Sequence, residues 1–147
     1  MKIAGIDYGT VRVGIAVSDV SGKIAFPSQT YIRQSTTQDA KFFKRFVNEE
    51  QIEQIVVGLP LHLSGDVSEK ADEVLQFGKW IGELTGLKID YFDERYSSVE
   101  AEQILRQAKL TGKKRKEKRD MIAAQILLSA YLESGCVGIS DYYNIDG

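Results

Sequence analysis

The chain has 147 residues, 43% hydrophobic and 27% charged, the proportions of one water-soluble globular domain large enough to bury its own core. No apolar run approaches the ~20 residues of a membrane span, MKIAGIDYG does not read as a signal peptide, and the single cysteine, Cys136, excludes an internal disulfide or a Cys-based zinc site, so a reduced cytoplasmic setting is expected. The net charge of −2 is uneven: residues 111–119, TGKKRKEKR, hold six basic residues and one acidic, a local +5, and the remaining 13 basic and 20 acidic residues sum to −7.

Residues 2–8 read as a short apolar strand that ends on Asp7 and runs into a glycine turn. Residues 11–18, VRVGIAVS, place Val11, Val13, Ile15 and Val17 on one face, the period of a second strand. KIAFPSQTYIR follows as a third, completing an antiparallel meander, with Pro27 suited to an edge position. From residue 36 the pattern becomes helical and then alternates. A helix near 37–50 carries Ala40, Phe43 and Val47 beside Phe42 and Phe46, and QIVVG (54–58) is a buried strand. A long helix over 66–85 aligns Val67, Ala71, Val74, Gly78 and Ile81 and stops at Gly86. LKIDYF (87–92) is the fifth strand, and Ser97 with Glu100 forms a capping box for the next helix. The basic stretch then reads as a connecting loop, and a last helix over about 118–134 faces Ala123, Leu127, Ala130 and Tyr131 inward. The order implies one mixed sheet, antiparallel at its hairpins and parallel at its helical crossovers. Residues 1–135 form the expected domain, and 136–147 a loosely held tail.

In such a sheet, functional groups collect beyond the carboxyl ends of the parallel strands. Asp7 ends the first strand, Asp93 and Glu94 of DERYSS follow the fifth, and Asp120 opens the last helix, so carboxylates from three remote segments are expected at one rim. Clustered carboxylates repel one another unless a cation neutralises them. Magnesium takes oxygen ligands and leaves positions for water and phosphate, and two such ions can activate a water and stabilise a leaving oxygen. Acids beside a lysine-rich stretch therefore suit cleavage of nucleic acid.

Each residue also has a plainer role open to it. Asp120 suits a helix N-cap and Asp7 a turn. Glu94 can form a surface ion pair with Arg95 or Arg12. Arg12 is either a surface residue or a phosphate contact close to Asp7. His62 reads as a surface residue, and Phe77 and Trp80 as packing rather than a stacking platform. The stretch 111–119 is either a phosphate-contacting patch, ordered over the rim by nucleic acid, or a solvated mobile loop.

Taken in order, GIDYGTVRVGIAVSD, VVGLP, DERYSS and KRKEKRDMIAAQILL resemble the YqgF family, also called RuvX, over about residues 1–135. The resemblance implies an α/β, RNase H-like fold with a five-stranded mixed sheet flanked by helices. It also implies a magnesium-dependent nuclease of bacterial cytoplasm, with manganese as a substitute ion. The implied role is processing the 5′ end of the small-subunit ribosomal RNA precursor, in association with ribosomal particles and with no membrane. RNA precursor is favoured over a DNA junction, and both monomer and homodimer stay open. The metal and catalytic carboxylates carry over to Asp7, Glu94 and Asp120, with Asp93 an adjacent substitute or helper. Phosphate contacts fall to Lys113, Lys114, Arg115, Lys116, Lys118 and Arg119, with Arg12 and Arg95 at the scissile phosphate. The resolvase RuvC has a fourth acidic residue in its last helix. Met121, Ile122, Ala123 and Ala124 follow Asp120 here, a departure that weighs against junction resolution.

Two other functions compete. A phosphotransferase of the actin and sugar-kinase type shares the D-x-G-T hairpin, but needs two such domains around its nucleotide. A non-catalytic RNA-binding assembly factor would use the basic stretch alone, and would need no metal.

Overall fold

The computed structural model describes residues 1–60, 69–93 and 112–139, without the side chain of Lys113. The elements are β1 (Ile3–Asp7), β2 (Arg12–Ser18), β3 (Ala25–Ile32), α1 (Thr36–Glu50), β4 (Gln54–Leu59), α2 (Glu69–Thr85), β5 (Lys88–Asp93) and α3 (Gly112–Glu133). The five strands form one sheet in the order β3-β2-β1-β4-β5. The meander pairs antiparallel, and β4 and β5 add in parallel beside β1, as expected from the hairpin and crossover connections. Pro27 lies on β3, the edge strand, where the β2 register shifts between Ile15 and Ala16.

Strand alternation sorts the core into two layers. One face carries Ala4, Ile6, Val13, Ile15, Ile55, Val57, Ile89 and Tyr91 against α1 and α2, which contribute Phe43, Phe46, Ala71, Val74, Phe77 and Ile81. The other carries Ile3, Ala16 and Val56 against Ala124, Leu128 and Tyr131 of α3. Helix α1 starts at an N-cap that the apolar pattern does not register: Ser35 accepts from the Gln38 N–H, and the Gln38 side chain returns to the Ser35 backbone. The Ser97 and Glu100 box, the helix it would open, and Val67 and His62 all lie outside the described residues.

Helix α3 departs from expectation. It begins at Gly112, so the basic stretch forms its first two turns and is not a loop. Asp120 accordingly lies inside the helix and cannot be its N-cap. Lysine, arginine and glutamate are good helix formers. An apolar period misses them because these turns have little to bury. Beyond α3 the chain stays attached as far as Ile139, which is buried and donates its N–H to the Tyr91 carbonyl at 2.7 Å. Residues 140–147 are outside the described part.

Two glycines let α3 settle directly on the strands. A Cβ at Gly5 would come within 2.8 Å of Leu128 Cβ and 3.2 Å of the Ala124 carbonyl, and one at Gly14 would overlap the Asp120 carbonyl. Thr30, opposite Gly14 in register, fixes the same contact by donating to the Glu117 carbonyl at 2.6 Å. Deeper in this layer, Tyr131 donates to Asp90 at 2.7 Å and accepts from Gln54 at 2.7 Å, a satisfied buried polar chain.

Replacing Gly14 with alanine should therefore lower unfolding free energy by about 3 kcal/mol, the upper range for overpacking, because backbone rather than a flexible side chain must move. Urea denaturation checks this. A loss under about 0.5 kcal/mol, typical of an open surface site, would contradict the close approach of α3 to β2.

Candidate nucleic-acid cleavage site

Asp7 is the last residue of β1, and its register partner on β2 is Gly14. The Asp120 backbone lies against that glycine. Asp7 and Gly14 share the sheet face that α3 covers, so the backbones of two acidic residues 113 positions apart in sequence converge on one residue without a side chain, and both line the same cleft. Asp120 is buried, and Arg12, on the same face of β2, donates from Nε to its Oδ2 at 2.7 Å. Arg119 places a second guanidinium 3.6 Å from Oδ1. Two cationic groups thus compensate a carboxylate that would otherwise be buried at high cost.

These groups line a cleft of about 700 Å³ at the carboxyl end of β1 and the start of β2. Asp7 through Arg12, with Arg119 and Asp120, form one wall, and Glu69, Lys70 and Glu73 of α2 form the other. A second cavity, about 620 Å³, opens at the opposite end of the sheet between Lys2, Lys44 and Glu53. Its charges are partly paired among themselves, Lys2 with Glu50 at 3.0 Å.

The expected residues divide as follows. Asp7, Arg12, Arg119 and Asp120 are brought together. Lys114, Lys116 and Lys118 are exposed on the first turns of α3, and Arg115 is half-buried. Asp93 follows Ile89 and Tyr91 on β5, the face toward α1 and α2, and so leaves the sheet on the side opposite Asp7. Glu94, Arg95 and the Lys113 side chain lie outside the described residues. Among the described residues no three acidic, histidine or cysteine side chains are grouped as a metal cage. The two carboxylates present are hard oxygen donors, the type a magnesium-like cation takes.

Sequence reading missed the support behind Tyr8. Arg33, at the end of β3, lies over the Tyr8 ring at 5.4 Å and donates to its hydroxyl at 3.2 Å. Asp39 holds Arg33 through Nε at 3.2 Å, and also accepts from the Tyr31 hydroxyl at 2.7 Å and the Gln34 N–H at 2.9 Å. Burial alone would raise the Asp39 pKa. Its hydrogen bonds and the Arg33 charge outweigh that, and hold it below the ordinary carboxylate range. Burial, with the Asp39 carboxylate beside it, pushes the Tyr31 hydroxyl up to about 12, so it remains a donor. The adjacent charges in YIRQSTTQD were visible in sequence, but nothing in that stretch marks Asp39 as buried.

An RNase H-like nuclease is the class that this sheet and site define, and comparison with known proteins agrees. The chain matches the RuvX family, described as Holliday junction resolvase, over residues 1–134, and it belongs to that family. It is 41% identical over 133 residues, 90% of this chain and 77% of the relative, to a Rhodopirellula baltica protein provisionally named pre-16S rRNA nuclease. A protein of the same provisional name from Syntrophomonas wolfei is 40% identical over 142 residues, 97% of this chain and all of the relative. Among solved structures, Thermus thermophilus RuvC bound to a Holliday junction matches with a TM-score of 0.60 at 14% identity, covering 94% of this chain and 98% of that one. Fowlpox virus resolvase with junction DNA gives 0.58 at 13% identity, covering 93% and 100%. These two show the shared fold.

The Asp39 cluster predicts a pH dependence. Its carboxyl titrates lower folded than unfolded, so its stabilisation is fully present above the unfolded pKa and is lost as pH falls through the folded one. Asp39→Asn should cost about 1–3 kcal/mol at pH 7, the range for charged hydrogen bonds. The difference from the parent should begin to shrink as pH falls below the unfolded carboxylate value, about 4, and should vanish only below the lower folded one. Urea denaturation at pH 7, 5 and 3 reads this out, and a pH-independent difference would count against it.

Proposed function

We propose that the chain is a metal-dependent endoribonuclease that trims the 5′ end of the 16S ribosomal RNA precursor in the cytoplasm, on ribosomal precursor particles. The observation that carries the reading is the meeting of Asp7 and Asp120 around Gly14, in a cleft whose rim continues into the basic turns of α3. Asp7, Asp120 and Glu94 would hold the cation, magnesium or manganese. When bound, a hard divalent ion of this kind neutralises the carboxylates, activates a water and stabilises the leaving oxygen.

The protein's own groups do the rest. Arg12 compensates the buried Asp120 through its Nε contact, and its position beside Asp7 would let the guanidinium contact the scissile phosphate. Lys114, Lys116 and Lys118, exposed on the first turns of α3, would carry the flanking phosphates together with Lys113, Arg115 and Arg119, and Arg95 would serve the scissile group. No acidic residue lies in the first turn of α3, so its dipole and its lysines add as one positive end. Basic residues there cost the helix stability, which is accounted for if they serve a polyanion. RNA is favoured over a four-way junction by the relatives' names and by the turn after Asp120. Met121, Ile122, Ala123 and Ala124 follow there, so that turn carries no fourth carboxylate.

The deciding experiment incubates the protein with precursor rRNA and with four-way DNA junctions, in magnesium, manganese or chelator. Cleavage of the RNA that needs a divalent ion is expected, and Asp7→Asn should abolish it while leaving the thermal midpoint nearly unchanged. Full cleavage by Asp7→Asn, or cleavage in chelator, would overturn the metal-site reading.

Salt dependence tests the basic turns separately. Replacing Lys114, Lys116 and Lys118 together with alanine should lower the slope of log affinity against log salt by about 2 to 3, since each phosphate contact contributes roughly 0.7–0.9. An unchanged slope would make these lysines solvated surface only.

A further inference from the structure

Tyr8 directly follows Asp7, and alternation sends its ring through to the opposite side of the sheet, onto Phe77 at 4.7 Å between centroids. Arg33 lies over both rings, 5.4 Å from Tyr8 and 5.6 Å from Phe77. Trp80, only partly buried, continues the aromatic wall 5.9 Å beyond Phe77. Together with Thr36, Glu73 and Gln76 these residues line an open hollow of about 260 Å³. Tyr8 and Glu73 also line the main cleft, so the two spaces share a wall.

The chemistry of the lining narrows the occupant. A phosphate is disfavoured, because the Arg33 charge is already answered by buried Asp39 and Glu73 brings a carboxylate to the rim. A peptide helix, ~10–12 Å across, is too large. The volume falls just under the ~300 Å³ lower end for small-molecule sites, which fits one flat ring system. Aromatic faces beside an amide and a carboxylate suit a neutral π-system with hydrogen-bonding edges.

We propose that this hollow is a base subsite. It takes one unstacked nucleobase of the substrate strand, next to the scissile phosphate, with its face on the partly buried Trp80 and its edge toward Glu73 and Gln76. Stacking on aromatic side chains is how unpaired RNA bases are generally held. A base inside a duplex cannot enter without being extruded, so the subsite directs the enzyme to unpaired positions. The inference rests on a nucleic-acid substrate but not on cleavage.

Trp80 is the only tryptophan in the chain, so its emission reports the subsite directly. The full chain is titrated in chelator with a short single-stranded oligoribonucleotide, with the same strand carrying one abasic position at each site in turn, and with its duplex. Saturable quenching by the single strand is expected. One abasic position should abolish the quenching and weaken binding about tenfold, and the duplex should quench little. Gln76→Ala, at an exposed helix position, should weaken preference among bases without changing the thermal midpoint. Trp80→Phe should keep most of the affinity and Trp80→Leu should lose it. Binding that leaves Trp80 emission unchanged, or equal affinity for every abasic strand, would overturn the proposal. If precursor RNA is not cleaved in magnesium yet Trp80 is quenched, the nuclease reading fails and the subsite stands. Cleavage with silent Trp80 emission fails the subsite alone.

Discussion

Everything at the cleft depends on how closely α3 lies on β1 and β2. Gly5 and Gly14 remove the side chains that would hold the helix off, and the Asp120 backbone settles over position 14. Because Gly14 is also the register partner of Asp7, the same contact brings the backbones of Asp7 and Asp120 together. Side-chain packing would allow this spacing to drift with rotamers, whereas backbone against backbone does not. The small residues at the centre of the sheet are therefore part of the site, although neither can touch a substrate.

Closeness of that kind brings an electrostatic cost, which the neighbouring residues meet. A buried Asp120 next to a second carboxylate is unfavourable unless positive charge is at hand. Arg12 and Arg119 provide it in the structure as it stands. In the proposed reading Asp120 would hold a cation as well as Arg12, so the charge balance of this carboxylate links the metal site to the guanidinium beside it. The alternation of β1 adds a second division of labour. Asp7 faces α3 and the cationic helix, while Tyr8 faces α2 and the aromatic wall braced by Arg33 and Asp39. The two proposals thus place phosphate chemistry and base contact on opposite sides of one strand end.

Much of this was legible in the residues. Alternation gave β2, short apolar runs gave β1 and β4, which bury both faces, and the 3.6 period gave the apolar faces of α1 and α2, which bury one. Asp7 was identifiable because a charged residue closes a strand that is otherwise apolar. The start of α3 was not legible, since its first two turns are largely solvent-facing and have no apolar period, and this error carried Asp120 to a helix end it does not occupy. Parity could not choose between Asp93 and Glu94 until the register of β5 was known; Tyr91 in the α1/α2 core then sends Asp93 to the far side. The Arg33–Asp39–Tyr31 cluster was hidden for another reason. Its members are ordinary turn and helix residues, and only the fold reveals that the carboxylate is buried.

The central claim is that Asp7 and Asp120 act as one cation-binding pair. Manganese bound to the protein can be counted by electron paramagnetic resonance as loss of the free-ion signal, without any substrate. Asp7→Asn and Asp120→Asn should each reduce binding sharply, and the double variant should bind no less than the weaker single one, because each carboxylate is useful only with the other. Undiminished manganese binding in both single variants, with the fold intact, would contradict the account.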